Sequence, residues 1–484
     1  MERHAAILAI LCAVWGALAM LVGVSLLLLS AGALAILVGP DGSAVGFAAG
    51  VTATAFAVMG AVALLWGGAH VGASVLLRRR APAGRFLTLG LAVVNLLVLP
   101  FGTALGAYAL WILLTDEGRR MFAGGLILHA LRVVNDPDLR RDIVSLGFIK
   151  DLSIADGKVS FAIELTTPAC PVKDQMREQA EAAVRAVPGV TSVDVRMTAN
   201  VRSVSAPELG RPPLPGVKNI IAVGAGKGGV GKTTVAVNLA LALARCGSRV
   251  GILDGDIYGP NVPIMLGLSA TQLTTDGKRI VPAEKHGVQV VSMGFLTSDD
   301  APVIWRGPML HGAIQQFFRD VAWRDLDYLI VDMPPGTGDV ALSLSQTVPV
   351  VGSIVVTTPQ RVSLADTLRA VRMYQKLNIT PIGLVENMSY YACPNCHHEA
   401  DIFGHGGGEK LAEQMEVPFL GRLPVYQPIR EGGDAGVPIV ISEPGSSAGR
   451  AFILAAERTA AQVSILAHKS AEANKGKIPL IPVR

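Results

Sequence analysis

The sequence has few charged and few aromatic residues for its length. Asp, Glu, Lys and Arg make up 17% of the 484 residues, Phe, Trp and Tyr make up 5%, and the formal net charge is +4. A nucleic-acid interface usually shows a basic stripe with interleaved aromatic residues, and no such stripe is present. We therefore expect no nucleic-acid partner.

Cysteine is also scarce. The five cysteines are too few and too scattered for a disulfide framework, so they indicate a reducing compartment in which thiols serve as ligands. They are Cys12, Cys170, Cys246, Cys393 and Cys396.

Hydrophobic residues are abundant, at 51%, and they are concentrated at the N-terminal end. Residues 5–38, 45–77 and 86–114 form three apolar stretches, each longer than the roughly 20 residues that span a bilayer. A signal peptide has a shorter apolar region, and a soluble core helix of this length shows a polar face. We interpret residues 1–121 as a membrane segment of transmembrane helices.

Basic residues predict the orientation of this segment. Arginines at 78–80, 85 and 119–120 flank the third stretch on both sides, and the first loop carries only Asp41. Cytoplasmic flanks are rich in Lys and Arg, so both ends of the third stretch are expected inside. We predict a cytoplasmic N-terminus, two full spans and a third stretch broken near Pro100. The protein then lies in the inner (cytoplasmic) membrane, with its soluble domains in the cytoplasm.

A small α/β domain is expected over residues 122–202. Residues 151–165 alternate around a turn as in a β-hairpin, and a helix and a strand follow. The motifs Asn-Asp-Pro-Asp, Ser-Leu-Gly-Phe-Ile and Thr-Thr-Pro-Ala-Cys-Pro resemble the iron–sulfur assembly domain typified by SufT. That resemblance implies a thiolate role for Cys170, whereas a lone cysteine before a helix is also often structural.

The main nucleotide motif is Gly-Lys-Gly-Gly-Val-Gly-Lys-Thr-Thr at residues 226–234, which fits the phosphate-loop pattern. An apolar run precedes it and a helical pattern follows, as the motif requires. Backbone N–H groups would surround the phosphates, Lys232 would neutralise them, and the Thr233 hydroxyl would hold Mg²⁺. The expected nucleotide-binding residues are Gly226, Lys227, Gly228, Gly229, Val230, Gly231, Lys232, Thr233, Thr234 and Asn387.

Aspartates end two further apolar strands. Asp254 and Asp256 follow one strand, where a carboxylate can orient and activate water. Asp332 ends another, fits a Walker B carboxylate that holds Mg²⁺, and precedes Gly336, whose N–H could sense the γ-phosphate. Alternating strands and helices predict a doubly wound parallel sheet in a P-loop domain over residues 218–467. A proline-rich linker at 203–217 precedes it, and a disordered tail at 468–484 follows.

Cys393 and Cys396 form a Cys-x-x-Cys pair in a loop after the strand that contains Asn387. Two thiolates cannot complete a four-ligand site. Two copies of the chain could hold a [4Fe–4S] cluster between them, or His397, His398 or His405 could complete a zinc site. An inert loop is the third alternative.

The second lysine of the loop, Lys227, resembles the signature lysine of the deviant Walker A class, which includes MinD and ParA. Ile-Tyr-Gly-Pro-Asn, Met-Pro-Pro-Gly-Thr-Gly-Asp and Asn-Met-Ser with Cys-x-x-Cys resemble the Mrp/ApbC branch of that class. The resemblance implies an ATPase that forms a homodimer, shares a [4Fe–4S] cluster and delivers it to apo iron–sulfur proteins. It implies that Lys227 reaches the partner's nucleotide, Asp256 activates water and Asn387 reads adenine.

Two other classes share some of these features. A bacterial tyrosine kinase also joins membrane spans to such a domain, but it ends in a tyrosine cluster, and no tyrosine follows Tyr426. A spatial organiser like MinD or ParA has no need of the Cys-x-x-Cys pair. The alternative function is therefore a membrane-associated P-loop ATPase of one of these kinds, with zinc at Cys393 and Cys396.

Overall fold

The computed structural model describes residues 2–37, 44–204, 213–256, 259–277, 279–295, 312, 316–334, 336, 348–393, 395–396 and 398–474. The chain divides into two compact units. The first comprises residues 1–136, 141–163 and 175–196, and the second comprises residues 137–140, 164–174 and 197–484.

The first unit begins with five helices. Two of them, α1 and α2, are long and apolar enough to cross a membrane, and the third apolar stretch forms two shorter helices, α3 and α4. The break between α3 and α4 covers residues 96–100, where the sequence predicted it, because Pro100 cannot donate a backbone hydrogen bond. The bounds are α1 Glu2–Leu37, α2 Ala44–Arg78, α3 Pro82–Asn95, α4 Phe101–Leu114 and α5 Asp116–Leu131.

Glycines bring α1 and α2 into close contact at two levels. A Cβ atom added to Gly16 would lie 2.6 Å from the carbonyl oxygen of Gly67, and one added to Gly67 would lie 2.5 Å from that of Gly16. Gly23 and Gly60 make the same reciprocal contact at 2.9 Å. Small residues let helix backbones approach this closely, so α1 and α2 pack as a tight antiparallel pair.

The expected boundary at residues 121 and 122 falls inside α5, which runs through it without interruption. Ile127 and Leu131 on this helix are buried within the first unit. Helical packing therefore continues past the point at which the composition becomes more polar.

The small α/β region contains the predicted hairpin. Strands β3 and β4 pair antiparallel, and the three-stranded sheet has the order β3-β4-β5. Residues 164–174 of this region belong to the second compact unit. The elements are β1 Asn135–Asp136, β2 Arg141–Asp142, β3 Ile149–Ala155, β4 Lys158–Leu165, α6 Lys173–Arg185 and β5 Ser192–Ala199.

A nine-stranded sheet dominates the second unit. Its order is β10-β11-β7-β12-β6-β13-β14-β15, with β16 also paired to β14. Only β10 and β15, which pair with β11 and β14, are antiparallel. The nine strands of the sheet are β6 Val217–Ala225, β7 Val250–Asp254, β10 Ala283–Lys285, β11 Val288–Ser292, β12 Leu326–Asp332, β13 Val350–Thr357, β14 Pro381–Ala392, β15 Glu399–Ala400 and β16 Phe419–Val425. Two further strands, β8 Thr274–Thr275 and β9 Ile280–Val281, form a separate antiparallel pair.

Helices cover both faces of this sheet, so the predicted doubly wound α/β fold is confirmed. Successive residues of β6 point to opposite faces: Ile221 lies in the hydrophobic cluster that α7 covers, and Ile220 lies in the cluster that α9 covers. The helices are α7 Lys232–Arg245, α8 Val262–Met265, α9 Arg361–Lys376, α10 Gly407–Gln414, α11 Gln427–Asp434, α12 Ile439–Ser442 and α13 Ser447–Asn474, with a 3₁₀ turn at Met293–Phe295.

The expected tail at residues 468–484 overlaps the end of α13. Helix α13 continues through residues 468–474, directly after the turns in which Val463 and Ala467 are buried. Residues 475–484 of the expected tail, and 205–212 of the expected linker, lie outside the described residues.

Candidate nucleotide and metal sites

The phosphate loop connects β6 to the N-terminus of α7. Gly229 and Gly231 have φ angles of 80° and 79°, a conformation that only glycine adopts readily. Lys232 is the first residue of α7, so the loop closes at a helix N-terminus, where backbone N–H groups favour an anion. The exposed Lys227 projects from the same loop.

Three predicted side chains converge below the loop. The Lys232 Nζ atom lies 2.6 Å from Asp332 Oδ1, and the Thr233 hydroxyl donates to Asp332 Oδ2 at 2.7 Å. Asp332 is fully buried at the end of β12, and Lys232 is 8% exposed. A hydroxyl and a carboxylate are oxygen ligands of the kind Mg²⁺ prefers, so these residues fit the ion expected from the sequence.

Asp254 and Asp256 lie beside this group because β7 and β12 are parallel neighbours, with Asp254 opposite Asp332. Asp256 Oδ2 is 4.0 Å from Lys232 Nζ and the residue is partly exposed, so it faces the phosphate site. Asp254 is fully buried and accepts hydrogen bonds from the Ser292 hydroxyl at 2.9 Å and from the Val262 N–H at 3.3 Å. Asp254 therefore supports the loop, and Asp256 is the accessible carboxylate.

Burial changes the acidity of the two strand-end aspartates. Burial, and then the charge of Asp332, raises the pKa of Asp254 to about 7. Burial also raises the pKa of Asp332, although the charge and hydrogen bond of Lys232 act against this shift. Such perturbed groups are typical of functional sites.

A cavity of about 490 Å³ opens next to the phosphate loop. Asn387 stands at its border with the loop: its side-chain N–H donates to the Val230 carbonyl at 2.8 Å, and its Nδ2 atom lies against Gly231. Most of the other residues that line the cavity are apolar. Ligand cavities of this kind accept planar aromatic rings, and Asn387 is a polar group at the border of this one. The other lining residues are Thr234, Asn261, Ile264, Met265, Met388, Phe403, Pro424, Val425, Tyr426, Ile429, Arg430, Gly433 and Asp434.

Part of the segment after Asp332 lies outside the described residues. Gly336 is described and has a φ angle of 94°, but residues 335 and 337–347 are not. The same holds for residues 257 and 258 of the motif after Asp256. The expected contact of the Gly336 N–H with a phosphate therefore remains a prediction.

The cysteine pair lies at the tip of a short hairpin. Strand β14 ends at Ala392, which pairs with Glu399 of β15, and the Cys393 N–H donates to the His398 carbonyl at 3.0 Å. Cys393 is partly exposed and Cys396 is exposed. Backbone N–H groups of Cys396 and then Asn395 hold the pKa of the Cys393 thiol below its ordinary value, which favours the thiolate that binds metals.

No group of three or more His, Cys, Asp or Glu side chains that could hold a metal ion occurs among the described residues. His405 pairs instead with Asp401, at 3.0 Å between Nδ1 and Oδ2, and His397 is not described. Within the described part of one chain, Cys393 and Cys396 therefore do not belong to a complete four-ligand site.

Cys170 is buried, at 6% exposure, three residues before the start of α6. Its segment, residues 164–174, packs within the second unit: the Thr166 and Ser464 hydroxyls are 2.6 Å apart. The thiolate role expected for Cys170 remains a prediction.

Sequence reasoning missed one functional candidate, Glu386. It lies next to Asn387 on β14, is fully buried, and accepts hydrogen bonds from residues on both sides of the cysteine hairpin. The available signal was a single charged residue inside the apolar run Ile-Gly-Leu-Val-Glu-Asn, since a buried charge requires partners.

A strand, a glycine loop and a helix, together with aspartates at the ends of two neighbouring parallel strands, define a P-loop nucleotide-binding protein. The comparisons agree with this class. A family model described as NUBPL iron-transfer P-loop NTPase, of the ParA type, matches residues 216–460. A second model, described as iron–sulfur cluster assembly protein, matches residues 126–195.

Similar proteins identify the family more narrowly. The iron–sulfur cluster carrier protein of Synechocystis sp. is 50% identical over 353 residues, which cover 72% of this chain and 99% of that protein. The protein of the same name from Escherichia coli K12 is 42% identical over 341 residues, covering 70% of this chain and 92% of that protein. The chain therefore belongs to the iron–sulfur cluster carrier family of P-loop NTPases.

Among solved structures, a nucleotide-binding protein from Archaeoglobus fulgidus in complex with ADP is 36% identical and has a TM-score of 0.42. The match covers 46% of this chain and 88% of that one.

Proposed function

We propose that this chain is an ATP-dependent iron–sulfur cluster carrier in which two copies hold one [4Fe–4S] cluster and transfer it to apoproteins. The observation that carries the proposal is the position of the cysteine pair. Two accessible thiols lie at the end of β14, the strand on which Asn387 contacts the phosphate loop. One strand therefore connects a nucleotide site to a pair of metal ligands.

The nucleotide half of the proposal is supported by the converging side chains. Lys232 would neutralise the β- and γ-phosphates, and Thr233 and Asp332 would hold Mg²⁺, which neutralises phosphate charge when bound. Asp256 would orient the attacking water, since its carboxylate is the accessible one beside Lys232. Lys227 is exposed on the loop, as a residue that reaches a second copy must be.

The cluster half of the proposal follows from the ligand count. Four thiolates hold a [4Fe–4S] cluster, and one chain brings Cys393 and Cys396. A second copy supplies the other two thiolates if the hairpin tips of the two chains face each other. The same dimer would have to bring each Lys227 near the other chain's nucleotide, as the resemblance to the deviant Walker A class implies.

The N-terminal helices suggest where the carrier works. The two long helices, Arg3–Ala35 and Ala48–Arg78, are apolar enough to span a membrane. ATP, Mg²⁺ and reduced thiols are cytoplasmic, so we place the soluble domains on the cytoplasmic side of the inner membrane. Tethering would keep cluster delivery close to clients at the membrane.

Anaerobic reconstitution of the full chain with iron and sulfide tests the function. We expect a broad visible thiolate-to-iron absorption and about four iron atoms per dimer. Cys393→Ser should abolish this absorption, whereas Cys246→Ser is the matched control because Cys246 lies at the end of α7 and takes no part in the pair. No absorption in the wild-type chain, together with one bound zinc per chain, would instead support a zinc-containing P-loop ATPase.

A further inference from the structure

A buried carboxylate holds both ends of the part of the chain that carries the cysteines. We call residues 389–408, from the second half of β14 to the first turn of α10, the cysteine segment. Glu386 Oε1 accepts from the Ser389 hydroxyl at 2.5 Å and from the Gly406 N–H at 3.2 Å. Glu386 Oε2 accepts from the Gly408 N–H. One side chain thus joins the beginning of the segment to its end.

The surroundings are built around this carboxylate. Gly406 precedes α10 and Gly408 lies in its first turn, so the negative charge lies at a helix N-terminus, where it is favoured. A Cβ atom on Gly408 would lie 2.9 Å from Glu386 Oε2 and 3.0 Å from Glu386 Cβ. Only glycine at this position lets the helix approach the carboxylate so closely.

The strand changes course directly after Glu386. Met388 has a φ angle of 55°, which is uncommon for a residue other than glycine, and the pairing of β14 with β16 shifts register between Glu386 and Tyr390. A backbone held in this conformation needs support from its surroundings. The hydrogen bond between Ser389 and Glu386 spans this irregularity.

Successive residues of β14 therefore serve two different sites. Asn387 contacts the phosphate loop through the Val230 carbonyl, and Glu386 contacts the cysteine segment. We propose that Glu386 is a positioning residue that clamps the cysteine segment to the sheet and so fixes the two thiols for cluster binding. The clamp is a property of the free chain, and only its effect on the cluster rests on the proposed function.

Hydrogen exchange of the full-length protein in detergent, followed peptide by peptide, tests the clamp. In Glu386→Gln an amide N–H₂ replaces one acceptor oxygen and faces a backbone donor. Exchange in residues 389–408 should become about tenfold faster, as expected for the loss of one strong hydrogen bond, while β13 and α7 stay unchanged. Glu399→Gln is the control, because Glu399 lies in the same segment but is exposed.

Two outcomes would overturn the clamp: unchanged exchange in residues 389–408, or an equal increase in β13 and α7, which would indicate a general loss of stability. If Glu386→Gln does not fold, Ser389→Ala keeps the charge and removes one donor. In Ser389→Ala, hydrogen exchange in residues 389–408 should then be about threefold faster than in wild type. No local increase in Ser389→Ala would reject the clamp as well.

Cluster retention provides the second measurement. After reconstitution, the visible absorption of Glu386→Gln should decay about tenfold faster than that of wild type and of Glu399→Gln, since outer residues that orient metal ligands affect metal affinity on this scale. A wild-type chain that takes up no cluster would contradict the proposed function and leave the exchange experiment valid. If the visible absorption decays equally in all three proteins and hydrogen exchange is altered only in Glu386→Gln, then Glu386 holds the segment but does not affect the cluster.

Discussion

Lys232 joins the phosphate loop to two carboxylates of the candidate site. Its ammonium lies 2.6 Å from Asp332 and 4.0 Å from Asp256, so one cation balances two carboxylates below the phosphate loop. Sequence reasoning could find this residue because the phosphate-loop pattern is local: nine consecutive residues specify the turn, the helix start and the lysine.

Lys232→Ala should weaken ATP binding about 100-fold, because it removes charge-assisted hydrogen bonds to the phosphates that contribute about 3 kcal/mol. Equilibrium binding of a fluorescent ATP analogue to the full chain in detergent measures this change. Lys376→Ala, at the exposed end of α9, serves as the control and should bind like wild type. An unchanged dissociation constant in Lys232→Ala would contradict the assignment of the phosphate site.

The role of Glu386 cannot be predicted from a local sequence pattern. Its partners Gly406 and Gly408 lie 20 and 22 residues further along the chain, and no periodicity in the sequence connects them. The sequence predicts a strand around Glu386 but cannot say which loop returns to it. Contacts of this kind depend on tertiary packing, and they are the part of the site that only the structure provides.

At the level of secondary-structure elements, the parallel arrangement of the strands follows from the sequence more readily than the strand ends do. Alternating strands and helices predicted the parallel sheet, whereas the sequence pattern around Asn387 does not show that β14 extends five residues further, to Ala392. The extension arises because β15 folds back and pairs with residues 391 and 392. A hairpin partner of two residues is too short to recognise in a sequence.

Asp327 links β12 to β6 and to the residue that precedes β7. These contacts lie at the amino ends of the three strands, away from the phosphate loop. Its carboxylate in β12 accepts from Lys218 Nζ of β6 at 2.9 Å and from the Arg249 N–H, just before β7, at 3.0 Å. Burial raises the pKa of Asp327, but hydrogen bonds from Arg249 and Lys218 outweigh burial and hold the pKa below its ordinary value. A carboxyl with a lowered pKa stabilises the fold above its unfolded-state pKa of about 4, and this stabilisation is lost as the pH falls through the folded-state pKa.

Asp327→Asn should therefore lower the free energy of unfolding by about 2 kcal/mol at pH 7, and the difference from wild type should shrink below about pH 4. Urea unfolding followed by tryptophan fluorescence measures this free-energy difference, since the buried Trp323 packs in the same hydrophobic cluster as residues of β12. Asp325→Asn is the control: its ion pair with Arg249 is exposed and should contribute less than about 1 kcal/mol. A difference that persists unchanged in acid would contradict the ionic origin of the effect.

At the scale of the whole molecule, the matches to family models begin at residue 126, so the apolar helices precede the part that the family shares. Their existence could be predicted because long apolar runs need no tertiary information. The exact division of the chain into units could not be predicted from the sequence. Residues 164–174, which begin at the end of β4, belong to the second compact unit. Which unit a segment joins depends on packing partners that composition does not reveal.

Topology can be tested with single cysteines at Ser43, Ala83 and Thr115 in a chain whose native cysteines have been replaced. A membrane-impermeant thiol reagent applied from outside should label only Ser43→Cys, because the arginines around the third apolar stretch favour the cytoplasm. Labelling of all three sites after permeabilisation is the control for reactivity. Labelling of Thr115→Cys from outside would show that the third stretch crosses once and that the orientation is wrong.

The reciprocal glycine contacts between α1 and α2 have a mechanical consequence. In both contacts, Gly16 with Gly67 and Gly23 with Gly60, the two residue numbers add to 83, so the contacts specify one antiparallel register. A slide of one helical turn would place side chains of other residues against backbone that only glycine can approach. The two contacts therefore oppose sliding of one helix along the other, so we expect α1 and α2 to change their tilt in a membrane together.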